Sequence, residues 1–149
     1  MSPVVILDTS PLSLLSNPNH PPDVVACRAW AATLQAAGHR IVVPEISDYE
    51  VRRELIRARK VRSLRALDRL ISQLDYLPLT TAAMRRAAEF WATVRQAGLP
   101  TAGPAELDAD AILAAQAVTF GDPNLVVATT NVGHLARFVP ADLWSNISP

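Results

Sequence analysis

The sequence predicts an α/β fold, a three-layer α/β/α sandwich around a central, mainly parallel sheet. Two observations carry this. Three short apolar runs, Val4–Leu7, Ile41–Val43 and Leu125–Ala128, have the uninterrupted composition of strands buried on both faces. Helix-length segments separate them, and strands alternating with helices build βαβ units whose sheet is parallel and covered on both sides. The 149 residues show no repeat, low-complexity segment or interdomain linker, so residues 1–149 are expected to form one domain with a core of ordinary size.

Each element follows from local chemistry. The first strand stops at Asp8-Thr9-Ser10-Pro11, where Asp or Thr can cap a helix and proline suits its first turn. Residues 17–22 form a loop, and Asp23 is expected to cap a helix that runs to Gly38. Pro44 opens a helical stretch directly after Ile41–Val43, with a break near Lys60 and an end near Leu74. Within it Val61, Leu64, Leu67, Ile71 and Leu74 form a core-facing stripe. Tyr76–Leu79 reads as an edge strand, and Thr80 or Thr81 caps a helix to Gly98. A loop over Leu99–Leu107 follows, then a helix Asp108–Phe120, the strand Leu125–Ala128, a short helix from Asn131 and a last strand near Leu143–Ile147.

Composition narrows the function classes. One cysteine, Cys27, excludes an intrachain disulfide framework and fits a reducing compartment. No basic n-region precedes the first apolar run and no stretch approaches the roughly 20 residues of a membrane span, so a cytoplasmic location is expected. Fourteen Lys+Arg cancel fourteen Asp+Glu, which argues against indiscriminate polyanion binding. The charge is nevertheless sorted: residues 1–49 sum to −2, residues 50–70 to +5 and residues 71–149 to −3.

Ligands of open α/β sheets bind outside the carboxyl ends of the strands. Asp8 lies at such an end, Asn131 just past another, and Glu50 and Asp110 lie on helices near them. Taken singly, Asp8, Asp108 and Asn131 are good helix caps, and Glu50 can pair with Arg53 one turn on. Yet Glu50 lies only about 40° around its helix from the apolar Ile46, at 100° per residue. A carboxylate that close to a buried stripe needs a partner, and converging acids suit Mg2+ or Mn2+, which take oxygen ligands. His20, His39 and Cys27 lack zinc spacing, and no phosphate-binding loop, dinucleotide fingerprint or serine-hydrolase elbow is present. Beside these acids lie Arg52, Arg53, Arg57, Arg59, Lys60, Arg62, Arg65 and Arg69, either a solvated helix face or a grip for a nucleic-acid strand.

The segments Val4–Ser10, Ile46–Leu55, Asp110–Ala115 and Val126–Asn131, in this order and spacing, resemble the PIN-domain family, in particular the small VapC-type toxins of bacterial toxin–antitoxin modules. The resemblance covers essentially the whole chain. It implies a PIN-like sandwich and a metal-dependent endoribonuclease leaving a 5′-phosphate and a 3′-hydroxyl. It further implies Mg2+ or Mn2+ held by Asp8, Glu50 and Asp110, with Asp108 an additional candidate ligand. Thr9 and Asn131 support the site; Asn131 stands where the family often has a further acid, and a neutral amide holds a second ion less well. Arg53, Arg57, Arg62 and Arg65 are the candidate RNA-binding residues. A homodimer and a cognate antitoxin are the implied partners. The rivals are another metal-dependent phosphoesterase or nuclease using similar carboxylates, and a catalytically weak RNA- or partner-binding module.

Overall fold

The structure, a computed structural model, describes residues 3–98 and 104–149. Its five strands, β1 (Val4–Leu7), β2 (Arg40–Pro44), β3 (Asp75–Leu77), β4 (Leu125–Thr129) and β5 (Ala141–Leu143), lie in the order β3-β2-β1-β4-β5. Every pairing is parallel. The chain therefore builds outward from β1 to β3, then crosses over and builds outward the other way. The strand order reverses between β1 and β4, and the carboxyl-end crevice at such a reversal is where open α/β sheets bind ligands.

Among the described residues, seven helices cover the sheet: α1 (Thr9–Leu15), α2 (Pro22–Ala36), α3 (Glu45–Arg57), α4 (Val61–Gln73), α5 (Thr81–Gln96), α6 (Pro104–Phe120) and α7 (Val132–Leu135). Successive side chains of β1 point to opposite faces. Val4 and Ile6 join a core with α5 and α6 residues such as Phe90, Ala111 and Ala114. Val5 and Leu7 join the opposite core with Leu12, Leu34, Val51 and Leu67 from the first four helices. Three-layer architecture is thus the direct product of an apolar strand with no polar face. Among the described residues, no helix is long and apolar enough to cross a membrane.

Local expectations are met at several caps. Asp8 caps α1 and Thr80 caps α5 through their side chains, and Gly38 and Gly98 adopt the positive φ that follows a helix end. The expected break near Lys60 is a turn over residues 58–60, with Arg59 at φ 55°.

Three boundaries and one residue's exposure differ. Asp23 does not cap α2; the helix starts at Pro22, because proline suits the first helical position, and Asp23 lies in its first turn. The same preference starts α6 at Pro104 rather than Asp108, which removes Asp108 from the cap position. The remainder of the expected Leu99–Leu107 loop, residues 99–103, lies outside the described residues. Val61 is exposed rather than core-facing, since it opens α4 at the turn from α3; the buried side of that helix centres on Leu67, with Leu70, Ile71 and Leu74 partly buried around it. The last strand is Ala141–Leu143, and a 3-10 turn, Trp144–Asn146, takes the place of its expected continuation. Here the tail folds back onto α2: the Trp144 ring packs 5.5 Å from that of Trp30, whose Nε1 donates to the Ile147 carbonyl at 2.9 Å.

Candidate active site

The site forms where β1 and β4 end. Asp8 continues the β1 ladder through its N–H, which donates to the Ala128 carbonyl at 2.9 Å. Its Oδ1 accepts the Thr9 N–H at 2.7 Å, and its Oδ2 accepts the Thr129 hydroxyl at 2.7 Å. Helix cap and site acid are therefore one residue in two roles, with each oxygen aimed by a different neighbour. Thr129 is fully buried at the end of β4, and its oxygen also accepts the Asn131 N–H at 2.8 Å.

Glu50 reaches the same place from α3. Its Oε1 accepts the Thr9 hydroxyl at 2.9 Å, so Thr9 touches Asp8 through its backbone and Glu50 through its side chain. Arg53 stands 3.7 Å from the other oxygen, beyond a direct hydrogen bond. Only 19% of the Glu50 side chain is exposed, and burial pushes its pKa above the ordinary 4.5; the charges of Asp8 and Asp110 add to this, while Thr9 and Arg53 oppose it. Asp110 lies in the second turn of α6 with 16% of its side chain exposed. Burial, then the charge of Asp8, push it above its ordinary 3.8 against the pull of His134 and Arg137. The charge of Asp8 thus raises both Glu50 and Asp110, and that of Asp110 raises Glu50 further.

His134 was not foreseen. Its Nδ1 lies 3.2 Å from Asp110 Oδ2 and 2.8 Å from the Asn131 amide. A single nitrogen cannot donate to the carboxylate and accept from the amide at once. A protonated Nδ1 satisfies both when Asn131 presents its oxygen. Asn131 thus contacts His134, which in turn contacts Asp110. The only sequence signal was that His134 falls one helical turn after Asn131 at a strand end.

Gln116 was also missed, hidden in an alanine-rich helix. It is 1% exposed; its Oε1 accepts the Ile46 N–H at 3.1 Å and its Nε2 donates to the Leu77 carbonyl at 2.9 Å. Helix α3 begins at Pro44 without a side-chain cap, so Gln116 satisfies one of its orphan first-turn N–H groups. It thereby joins the helix carrying Asp110 to the helix carrying Glu50.

Other expected residues stand apart. Asp108, about 200° around α6 from Asp110, lines a depression with Met84 and Trp91 on the α5 side. Arg57 is paired with Glu54, and Arg53 lies over the Tyr49 ring at 5.0 Å. Arg52 is held between Asp48 at 3.0 Å and Asp68 at 2.8 Å. Arg62 and Arg65 are exposed on α4.

Among the described residues no three His, Cys, Asp or Glu side chains close on one point tightly enough to enclose an ion. The donor set at the crevice is oxygen only, negatively charged and mutually repelling, with the Asp110 Oδ1 free of any hydrogen bond among the described residues. That suits Mg2+ or Mn2+, which keep several waters and take one or two carboxylates rather than a full protein cage. It does not suit zinc.

Comparison with protein families matches the PIN domain over residues 5–134. Comparison with curated proteins finds no match. Among solved structures, the chain is similar to VapBC2 from Rickettsia felis bound to a DNA fragment from their promoter, at TM-score 0.71 and 19% identity, covering 95% of this chain and 98% of that one. It is similar to DNA-bound VapBC from Salmonella typhimurium at TM-score 0.64 and 24% identity, covering 97% and 99%. The third, VapBC-1 from nontypeable Haemophilus influenzae, has TM-score 0.58 and 18% identity, covering 96% and 99%. Identities this low establish a shared fold.

Proposed function

The chain belongs to the PIN-domain family, and from that premise we propose that it is a Mg2+- or Mn2+-dependent endoribonuclease, the toxin of a toxin–antitoxin pair. The observation that carries this is the convergence of Asp8, Glu50 and Asp110 at the strand-order reversal, where Thr9 bridges Asp8 and Glu50 and burial raises the pKa of Glu50 and Asp110. Buried like charges only partly offset by Arg53 and Arg137 cost stability, and a divalent ion removes that cost.

Asp8 and Asp110 are the direct ligands in this proposal, and Glu50 binds directly or through water. When bound, the ion lowers the pKa of an attacking water and offsets charge developing on the phosphoryl oxygens. The chain's own residues set the geometry. Thr129 and the Thr9 N–H fix both oxygens of Asp8, Thr9 turns Glu50 toward the crevice, and His134 holds Asp110 on one oxygen, leaving the other available. Asn131 adds no charge, which favours one tightly held ion over two.

The likeness to three VapBC structures supports an antitoxin as partner, and a homodimer is the proposed assembly. Purified protein incubated with labelled RNA and Mn2+ tests the activity. Cleavage is expected, and it should vanish with EDTA and with Asp8→Asn. Cleavage confined to DNA or small phosphate esters would support the broader phosphoesterase reading, and RNA binding without cleavage would support a non-catalytic module.

A further inference from the structure

We propose that two adjoining basic cavities between the end of α1 and the start of α4 form a subsite for backbone phosphates of the RNA strand, away from the bond that is cut. This rests on the RNA-cleaving function proposed above. The first cavity, of about 450 Å³, is lined by Arg59, Lys60 and Arg62; the second, of about 400 Å³, by Arg28, Arg62 and Arg69. Arg62 and Asn17 belong to both, so the two form a continuous basic depression. No acid lines either one.

These cations differ from their neighbours on α3. Arg52, Arg53 and Arg57 are occupied by Asp48 and Asp68, Glu50, and Glu54. Among the described residues Arg59, Lys60, Arg62 and Arg69 form no ion pair. Arg28 is held in place by the carbonyls of Asn17 and Asn19 and by His20, contacts that orient its guanidinium without neutralising it. Five positive charges gathered around one depression repel each other, and a polyanion relieves that repulsion. Arginine forks also match phosphate oxygens geometrically.

The depression is connected to the acid crevice by the two helices that define it. Helix α1 carries Thr9 at the acid end and Ser13 and Ser16 at the cavity end; α3, packed against it, carries Glu50 and then Leu55. Seven residues of helix at 1.5 Å each separate Thr9 from Ser16, about 10 Å. About 10 Å of helix thus separates the acid end from the cavity end, and on this proposal only substrates longer than the cleaved dinucleotide reach the cations.

The full chain and the variant Arg59→Gln/Lys60→Gln/Arg69→Gln are compared on a dinucleotide and on a long unstructured RNA, each over a range of salt. Both proteins should cleave the dinucleotide equally. On the long RNA the variant should show KM raised about tenfold, and a salt slope smaller by about 2, since each phosphate contact on a single strand contributes about 0.7. Arg59→Lys/Arg69→Lys, which keeps the charge, should retain most of the wild-type slope. An unchanged slope on long RNA overturns the inference, as does an equal loss on both substrates. Loss of oligoglutamate binding with RNA kinetics unchanged overturns it in favour of an acidic protein segment. Wild-type protein that cleaves neither RNA instead overturns the nuclease function itself.

Discussion

The acid crevice and the basic segment handle like charge in opposite ways. At the crevice, Asp8, Glu50 and Asp110 come together from three elements, and their nearest hydrogen-bond partners are mostly neutral: Thr9, Thr129 and the imidazole of His134. On α3 and α4, about half the cations are matched to nearby acids, as in Arg57 with Glu54 and Arg52 with Asp48 and Asp68. Charge that is paired along its own helix is spent on local structure. Charge gathered from distant parts of the chain and left without a counterion marks where an ion or ligand is expected. That difference separates the site from the surface better than net charge, which is zero.

The largest expected effect tests the unpaired side. Asp8→Asn or Asp110→Asn should lower the RNA cleavage rate by at least about a hundredfold, the scale for loss of one charge-stabilising group. Measured initial rates within a few fold of wild type would sink the assignment. Asp110→Asn should act oppositely on stability. Glu50 and Asp110 have folded-state pKa values above their ordinary 4.5 and 3.8, so the folded chain holds these protons more tightly than the unfolded chain. The stabilisation is complete below those ordinary values and is lost as pH rises through the raised ones. At pH 7 without metal, Asp110→Asn should therefore melt higher than wild type, with the gap closing on acidification; a lower melting temperature at pH 7 contradicts the repulsion.

Supporting groups come next. Thr9→Val and His134→Ala should each reduce activity by about 10- to 100-fold, the range for groups that orient metal ligands, with Thr9→Ser restoring most of it. Gln116→Leu leaves the Ile46 N–H and the Leu77 carbonyl unmatched in the core. It should cost about 1–3 kcal/mol in denaturant unfolding and weaken Mn2+ binding, whereas an unchanged midpoint would show that Gln116 does not join α3 to α6. The smallest effect belongs to the paired side: Arg57→Ala should change cleavage by less than about twofold, because exposed pairs contribute little. A large loss there would return Arg57 to the RNA-binding set.

The division between what the sequence disclosed and what it hid follows from how far apart the interacting residues are. Asp8 and Asn131 were expected because each falls at or just past the end of a buried run, Glu50 because it sits beside the apolar stripe of its helix, and Thr9 only through the family resemblance. Their gathering depends on the strand order β3-β2-β1-β4-β5, which no local pattern encodes. Gln116 looks like one polar residue in an apolar helix until α3 is seen to start without a cap. His134 gains its role only when α7 folds under α6. Asp108 was read as a cap because Pro100, Gly103 and Pro104 suggest a loop before it, yet Pro104 already stands at the first helical position. The i,i+3 pair Arg57–Glu54 could be read from spacing alone, whereas the bridge from Arg52 to Asp68 required the turn at Arg59.

The central claim is that Asp8, Glu50 and Asp110 make one divalent-ion site at the strand-order reversal. Mn2+ titration of the full chain, followed by electron paramagnetic resonance, tests it without reference to any RNA. One bound ion per chain is predicted for wild type, binding lost in Asp8→Asn and Asp110→Asn, and weakened in Glu50→Gln. Binding that survives all three substitutions unchanged would contradict the site.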